Sequence, residues 1–375
     1  MTDPRPTALH QEHERLGASF TDFGGWDMPL RYGSELAEHR AVRETAGLFD
    51  LSHMGELWIE GPDAGAFLNT ALVGDLARIG VGKAKYSLIV DERGGIIDDL
   101  IGYRLAEHRY LVVPNAGNTA AVAAAFAERG AGFDVAVRDA TAATSLIAVQ
   151  GPASAAILHE LIGGGSGLAN RHALVDELAY YAIAETSLAD VQLLLARTGY
   201  TGEDGFELYV PNACAREVWS ALLAAGEPHG LVAAGLAARD SLRLEAGMPL
   251  YGNELSTEVT PFDAGLGPVV SFEKEETFVG RAALEAAKAA GPALALVGLS
   301  GAGRRAPRAG YPIFAGDREI GRVTSGQPSP TLGVPIALAL VDPAFTAPGT
   351  ALEVDLRGRR EPFEVVALPF YRRSR

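Results

Sequence analysis

The ten residues GGIIDDLIGY, 94–103, set two carboxylates, Asp98 and Asp99, inside an otherwise apolar run. In a strand, neighbouring side chains point to opposite faces. Asp99 then shares a face with Ile97, Ile101 and Tyr103, and Asp98 shares the other with Ile96, Leu100 and Gly102. Both faces are apolar apart from the acids, and an ionised carboxylate in such a setting needs a partner, a cation or a ligand. The alternative is that both acids close a turn or cap a helix. The run KYSLIV (85–90) and the turn DERGG (91–95) read as the first arm of a hairpin. A four-residue turn at 91–94 sets Tyr86 opposite Asp99 on one face. With Tyr103 this makes a carboxylate flanked by two phenols, suited to a flat nitrogen-rich heterocycle or a cation; a five-residue turn breaks the trio.

A second constellation is RTGYTGEDGFELYV, 197–210: three glycines, two threonines and Tyr200 shape a turn that enters a strand. Period two separates Phe206 and Leu208 from Glu207 and Tyr209, so Glu207 is placed to face a cleft. There it can accept two parallel N–H donors, such as those on a pterin or guanine edge. The plainer reading is a solvent-facing strand residue. A third is GLAARDSLRLEAGMPLYGNEL, 235–255, where Arg239 and Arg243 lie four apart on one helix face. They suit a bidentate carboxylate clamp, or salt bridges to Asp240 or Glu245. His53, in LFDLSHMGEL (48–57), has no H-x-x-x-H or H-E-x-x-H companion and reads as a packed, hydrogen-bonded histidine beside Met54. GAGRRA (301–306) fails as a dinucleotide fingerprint because turn and strand, not helix, follow it.

These residues need elements to hold them. Helices are expected at 61–74, 117–130, 151–164, 212–226 and 280–291, and strands at 55–60, 85–90, 96–103, 109–114, 145–150, 191–197 and 206–210. GGGSG (163–167) reads as a loop, and 248–279 as a connection. After residue 292 helical periodicity fades into short strands with Gly/Pro turns, a small barrel or roll. The class is α+β with largely antiparallel sheets.

A length of 375 residues favours two or three domains. A formal charge of −15 argues against a nucleic-acid binder. One cysteine, Cys214, excludes an intrachain disulfide framework and cysteine-cluster metal sites. The opening MTDPRPTALHQEHERLG lacks a signal or transit pattern, and no run approaches the ~20 apolar residues of a membrane span. A soluble, cytoplasmic protein is expected, with no membrane or nucleic-acid partner and no metal.

The motifs occur together and in order: FGGWDMPLRYGS (23–34), GLFDLSHMGEL, GGIIDDLIGY, VVPNAGN (112–118), VQGP (149–152), RTGYTGEDGFE, ARDSLRLEAGMPLYGNEL, FVGRAAL (278–284) and VTSGQPSPTLGVPIALALV (323–341). Over nearly its whole length the chain resembles the T-protein family of the glycine cleavage system, folate-dependent aminomethyltransferases. The resemblance implies a three-domain cloverleaf: two interleaved α+β domains within 1–279, a connecting helix at 280–291 and a β-barrel domain at 292–375. It implies tetrahydrofolate as co-substrate, lipoylated H-protein as donor partner, and a monomer. By motif position it makes Asp99 the catalytic acid, Glu207 the pterin-binding glutamate and Arg239 a folate contact. Tyr86, Tyr103, Asn115 and Tyr200 line the cofactor site; Tyr371 or Arg372, in LPFYRR, is a C-terminal contact; and Tyr180 or Tyr181 matches an upstream tyrosine. Asp98 becomes the structural partner of Asp99. Pro114 and Gly102 depart from the family pattern. A local patch of Arg304, Arg305, Arg308, Arg372 and Arg373 is the expected docking surface for H-protein. Two alternatives stay open: a tetrahydrofolate-dependent demethylase of a sulfonium or amine, and a non-catalytic folate-binding protein. The latter type carries a KGCY-like motif, which Cys214 does not match.

Overall fold

The strand Ile96–Ala106 alternates as expected: Ile96, Asp98 and Leu100 are buried while Ile97, Asp99 and Ile101 are half-buried. The computed structural model describes residues 3–162, 169–188 and 191–373, so the GGGSG loop lies outside the described residues. The strand belongs to a five-stranded sheet ordered Lys83–Val90, Ile96–Ala106, Arg109–Pro114, Leu57–Glu60, Ala136–Asp139. Its first turn is tighter than the four-residue turn expected. The Asp91 N–H donates to Gly95 O at 2.9 Å and the Gly94 N–H to Asp91 O at 3.0 Å, leaving only 92–94 in the loop. Gly102 sits mid-strand because a Cβ there would fall 2.4 Å from Leu76 Cδ2. Pro114 ends its strand opposite Leu100, where no further ladder donor is needed.

A six-stranded sheet runs Ile183–Leu188, Val191–Ala196, Gly205–Pro211, Thr144–Gln150, Ala46–Asp50, Leu231–Ala233, antiparallel except for its last pair. The helix Asn212–Gly226 covers it because Ala215, Val218, Trp219 and Leu222 recur at helical spacing and are all buried. Ile147, Val149, Leu195 and Leu208 meet them from the sheet. A short N-terminal sheet orders Arg5–Pro6, Trp26–Arg31 and Ser19–Phe23. The C-terminal strands close a six-stranded barrel, ordered Ala295–Gly301, Pro335–Val341, Arg318–Pro328, Pro312–Ala315, Ala351–Asp355, Arg360–Val366. Inward side chains such as Leu299, Ile313, Val323, Ala339, Val354 and Phe363 fill it.

The chain divides into two compact units, each built from separated segments. One comprises Met1–Phe67, Leu76–Lys85 and Leu100–Arg239; the other comprises Leu68–Asp75, Tyr86–Asp99 and Asp240–Arg375. In the second, the 248–279 stretch is more than a connection. Leu255, Ala264, Val270 and Phe278 are buried with Val73, Leu88, Val90, Ile96 and Leu284.

Arg243, on the helix Leu236–Glu245, is not a ligand clamp but a buried structural ion. It is 1% exposed and donates to Asp240 Oδ1 at 2.8 Å, Glu254 Oε2 at 3.0 Å and Ser325 Oγ at 2.8 Å. Glu245 instead accepts from Thr331, at 3.0 Å from its N–H and 2.7 Å from its hydroxyl. Replacing Arg243 with Met leaves Glu254, fully buried, without its counter-ion. We expect a loss of about 3–5 kcal/mol in denaturant unfolding, partly recovered when Glu254→Gln is added.

Candidate active site

The hairpin puts the first constellation in the second unit. Tyr86 Oη donates to Asp99 Oδ2 at 3.0 Å, the expected phenol–carboxylate pair, formed despite the shorter turn. Asp99 is half-buried and Asp98 is fully buried. Tyr251, which motif reading passed over, belongs beside them: its own burial and the charges of Asp98 and Asp99 push its phenol up. A carboxylate among phenols can steady a positive charge without surrendering its proton-accepting oxygens.

Tyr103 turns its hydroxyl to other partners, all in the first unit. It lies 3.0 Å from Thr198 Oγ1, accepts from Tyr209 Oη at 3.3 Å, and is 3.5 Å from Glu207 Oε2. Thr198 Oγ1 also donates to Glu207 Oε2. With Glu207 ionised, Thr198 has a single proton to give, so the chain runs one way: Tyr209 to Tyr103 to Thr198 to Glu207. Glu207 and Tyr209 share a strand face, as period two requires, but both are buried, at 9% and 4% exposure. Burial pushes the Glu207 carboxyl up. The Thr198 hydrogen bond, the Arg239 charge and the Tyr103 hydroxyl oppose that push. Burial likewise pushes Tyr103 and Tyr209 well above the ordinary phenol range and keeps them donors. Arg239 stacks 4.7 Å above the Tyr200 ring. Burial lowers its pKa while Glu207 and Tyr200 pull the other way.

The turn preceding Glu207 is held from the neighbouring strand. Gln150 Nε2 donates to Thr198 O at 3.1 Å, and Thr201 Oγ1 donates to Gln150 Oε1 at 3.1 Å. Gly199 is required, since a Cβ would fall 1.9 Å from that Oε1. The other acids of the motif are bound by arginines, Glu203 by Arg43 at 2.9 Å and Asp204 by Arg197 at 2.6 Å. That separates Glu207 from them by partner.

His53 is packed as expected, at 2% exposure, and its Nδ1 has no hydrogen-bond partner among the described residues. Phe23 meets it edge-on at 5.4 Å. Burial, with the Arg239 charge, pulls its pKa down to about 3 against the opposing charge of Asp50. A histidine with a depressed folded pKa lends stability above its unfolded pKa and loses it as pH falls. Unfolding free energy should therefore drop between pH ~6.5 and 3 by up to ~1.4 kcal/mol per unit. His53→Gln should flatten that slope in acid titrations of stability.

The remaining expected residues lie as follows. Asn115 is half-buried, and its carbonyl accepts from the Asn118 N–H at 3.0 Å and the Thr119 hydroxyl at 3.1 Å. Tyr371 is half-buried, its N–H 2.8 Å from Glu245 O; Arg372 is exposed, with Nη2 3.3 Å from Leu368 O. Tyr180 is 54% exposed, its ring 5.0 Å from that of Tyr181. Thr198, Tyr209 and Tyr251 are the site residues that motif reading did not name.

Residues 9–274 match the GCVT N-terminal domain, and residues 295–372 match the glycine cleavage T-protein C-terminal barrel domain. The chain belongs to the glycine cleavage T-protein family. It is accordingly an aminomethyltransferase of the glycine cleavage system. Relatives named aminomethyltransferase include one from Streptomyces avermitilis, 60% identical over 99% of both chains, and one from Streptomyces coelicolor, 59% identical over 100% of this chain and 99% of its own. The crystal structure of the glycine cleavage system aminomethyltransferase T from Bartonella henselae superposes with a TM-score of 0.89 at 40% identity over 98% of each chain. Among the described residues no helix is long and apolar enough to cross a membrane, and no group of three or more His, Cys, Asp or Glu could hold a metal ion.

Proposed function

We propose that this aminomethyltransferase takes its one-carbon unit from aminomethylated lipoyl H-protein and delivers it to tetrahydrofolate in the cytoplasm. The observation that carries the reading is the sorting of acids: Glu207 is buried at the end of a one-way donor chain, and Asp99 is half-buried under a phenol. A buried carboxylate held by Thr198 fits the paired N–H donors of a pterin edge. Arg239, stacked on Tyr200, supplies a cation for the oxygen side of the same ring system.

In the transfer, the C–N bond to ammonia breaks and positive charge collects on the carbon attached to lipoyl sulfur. A folate nitrogen attacks that carbon, the C–S bond breaks to leave dihydrolipoyl H-protein, and the second folate nitrogen closes 5,10-methylenetetrahydrofolate. Asp99 stabilises the cationic carbon and orients the attacking nitrogen. Tyr86 fixes the rotamer of Asp99; Tyr103 belongs to the pterin end. Asn115, Tyr371 and Arg372 are assigned to the folate's surroundings by motif position. The exposed Arg304, Arg305, Arg308, Arg372 and Arg373 offer a cationic surface to an acidic carrier. The test is release of ammonia and formation of methylenetetrahydrofolate from aminomethylated H-protein. Both products should appear in equal amounts. An inert protein that still binds tetrahydrofolate would overturn the donor assignment.

A further inference from the structure

The Arg239–Tyr200 stack joins two separate segments, a helix start and a turn, so each side needs its own fastening. Both fastenings come from one further helix of the same unit, Glu35–Glu44. Glu38 is buried on it, and backbone donors occupy both carboxylate oxygens. Its Oε1 accepts the Tyr32 N–H at 2.8 Å and the Gly33 N–H at 3.2 Å, and its Oε2 accepts the Gly235 N–H at 2.9 Å. The Arg239 N–H in turn donates to Gly235 O at 3.1 Å, so the residue that Glu38 holds lies one helical turn from Arg239. A carboxylate at this point also complements the positive end of the helix Leu236–Glu245. The strand Trp26–Arg31 closes in on Gly235 as well: a Cβ there would fall 2.3 Å from Leu30 O. The helix start has no slack.

Further along the same helix, Arg43 does the corresponding work for the turn. Its Nη1 donates to Thr201 O at 2.7 Å and to Glu203 Oε1 at 2.9 Å. Thr201 directly follows Tyr200 in the chain. Both fastenings thus grip the chain beside the stack rather than the stacked groups themselves. A stacked cation keeps its attraction only while the guanidinium stays over the ring, so a small shift of either segment weakens it. We propose that Glu38 and Arg43 are positioning residues for folate binding: Glu38 sets the helix start that carries Arg239, Arg43 sets the turn that carries Tyr200, and one helix keeps the two in register. The proposal rests on the reading that Arg239 and Tyr200 receive tetrahydrofolate.

The test is tetrahydrofolate binding to the full chain by calorimetry, with the melting temperature of each variant measured alongside. Glu38→Gln offers one acceptor oxygen where the backbone donors occupy two. It should weaken binding ~3–10-fold, and in turnover the loss should fall on KM rather than kcat. Arg43→Met, made together with Glu203→Gln so that no buried carboxylate is stranded, should do the same. In an Arg239→Met background, Glu38→Gln should cost less than about 2-fold in affinity, because the group it positions is gone. Its lowering of the melting temperature should persist there. Glu38→Asp, which keeps the charge and shortens the reach, takes the place of a Glu38→Gln protein that does not fold. Without folate, amide exchange should quicken at 235–239 in the Glu38 variant and at 199–203 in the Arg43 variant, each leaving the other segment at the wild-type rate. Wild-type affinity in both variants, an equal loss with and without Arg239, or loosening of both segments alike would overturn the proposal. Arg239→Met and Tyr200→Leu test the underlying reading separately. Wild-type affinity in both of these removes folate from the stack, and the brace with it; weak binding there beside an unaffected Glu38→Gln removes the brace alone.

Discussion

Asp99→Asn is expected to lower turnover of aminomethylated H-protein by about 10²–10³-fold, the scale of losing one preorganised electrostatic contact to a charged transition state. Folate binding and the melting temperature should change little. The amide keeps the shape and still accepts from Tyr86 Oη, which sits 3.0 Å from Asp99 Oδ2 in the native pair. What it loses is the negative charge. Tyr86→Phe should fall between, at about 3–10-fold, because it removes only a neutral hydrogen bond worth ~1 kcal/mol. Asp98→Asn supplies the contrast. That residue is fully buried on the opposite face, so its change should appear in unfolding measurements and leave kcat near wild type. A turnover loss at Asp98 equal to that at Asp99 would show that the two acids do not divide their work in this way.

Glu207→Gln is the second large effect, read in binding. A buried carboxylate that accepts from Thr198 and meets the donors of a pterin edge contributes about 1.5–3 kcal/mol. KM for tetrahydrofolate should rise by roughly 10–150-fold, with a much smaller change in kcat. The donor chain gives this prediction a finer test. In Glu207→Gln the Thr198 hydroxyl faces an amide that presents either an oxygen or an NH₂ group, and half of those arrangements reverse the order of donors back to Tyr209. Thr198→Val removes the same link from the other side without touching the carboxylate. It should reproduce part of the KM increase and none of the charge loss. Equal KM values in wild type and both variants would exclude Glu207 from the folate site.

The acid pair and its strand were legible because they depend on local period. Alternation alone separates Asp98 from Asp99, and helical spacing alone predicts the buried face of Asn212–Gly226. The Tyr86–Asp99 contact forms although the shorter turn does not by itself set Tyr86 opposite Asp99, so turn length did not decide it. Other parts of the site were not local. Tyr103 meets Thr198 and Glu207 across 95 and 104 residues, so nothing near Tyr103 in the chain announces that it leaves the expected trio. Gln150 braces a turn 48 residues away, and Ser325 receives Arg243 across 82. Arg243 and Arg239 look alike in a helix pattern four residues apart; only Glu254 and Ser325 show that the former serves the fold. The N-terminal sheet was missed for a different reason. Its strands are short, and Arg5–Pro6 spans two residues, too few for any period to register.

Because each unit is assembled from segments far apart in the chain, biosynthesis imposes a wait. Val73, Leu88, Val90 and Ile96 leave the ribosome early, while the residues that cover them, Leu255 through Leu284, are translated after the whole of 100–239. At ~5–20 residues per second the 188 codons from Ile96 to Leu284 take about 10–40 s. During that interval the first unit can complete its core while an apolar hairpin, with the acid pair on its second strand, hangs from it uncovered. Truncated transcripts ending before residue 255 should therefore yield a folded remainder that is prone to aggregate through this one hairpin.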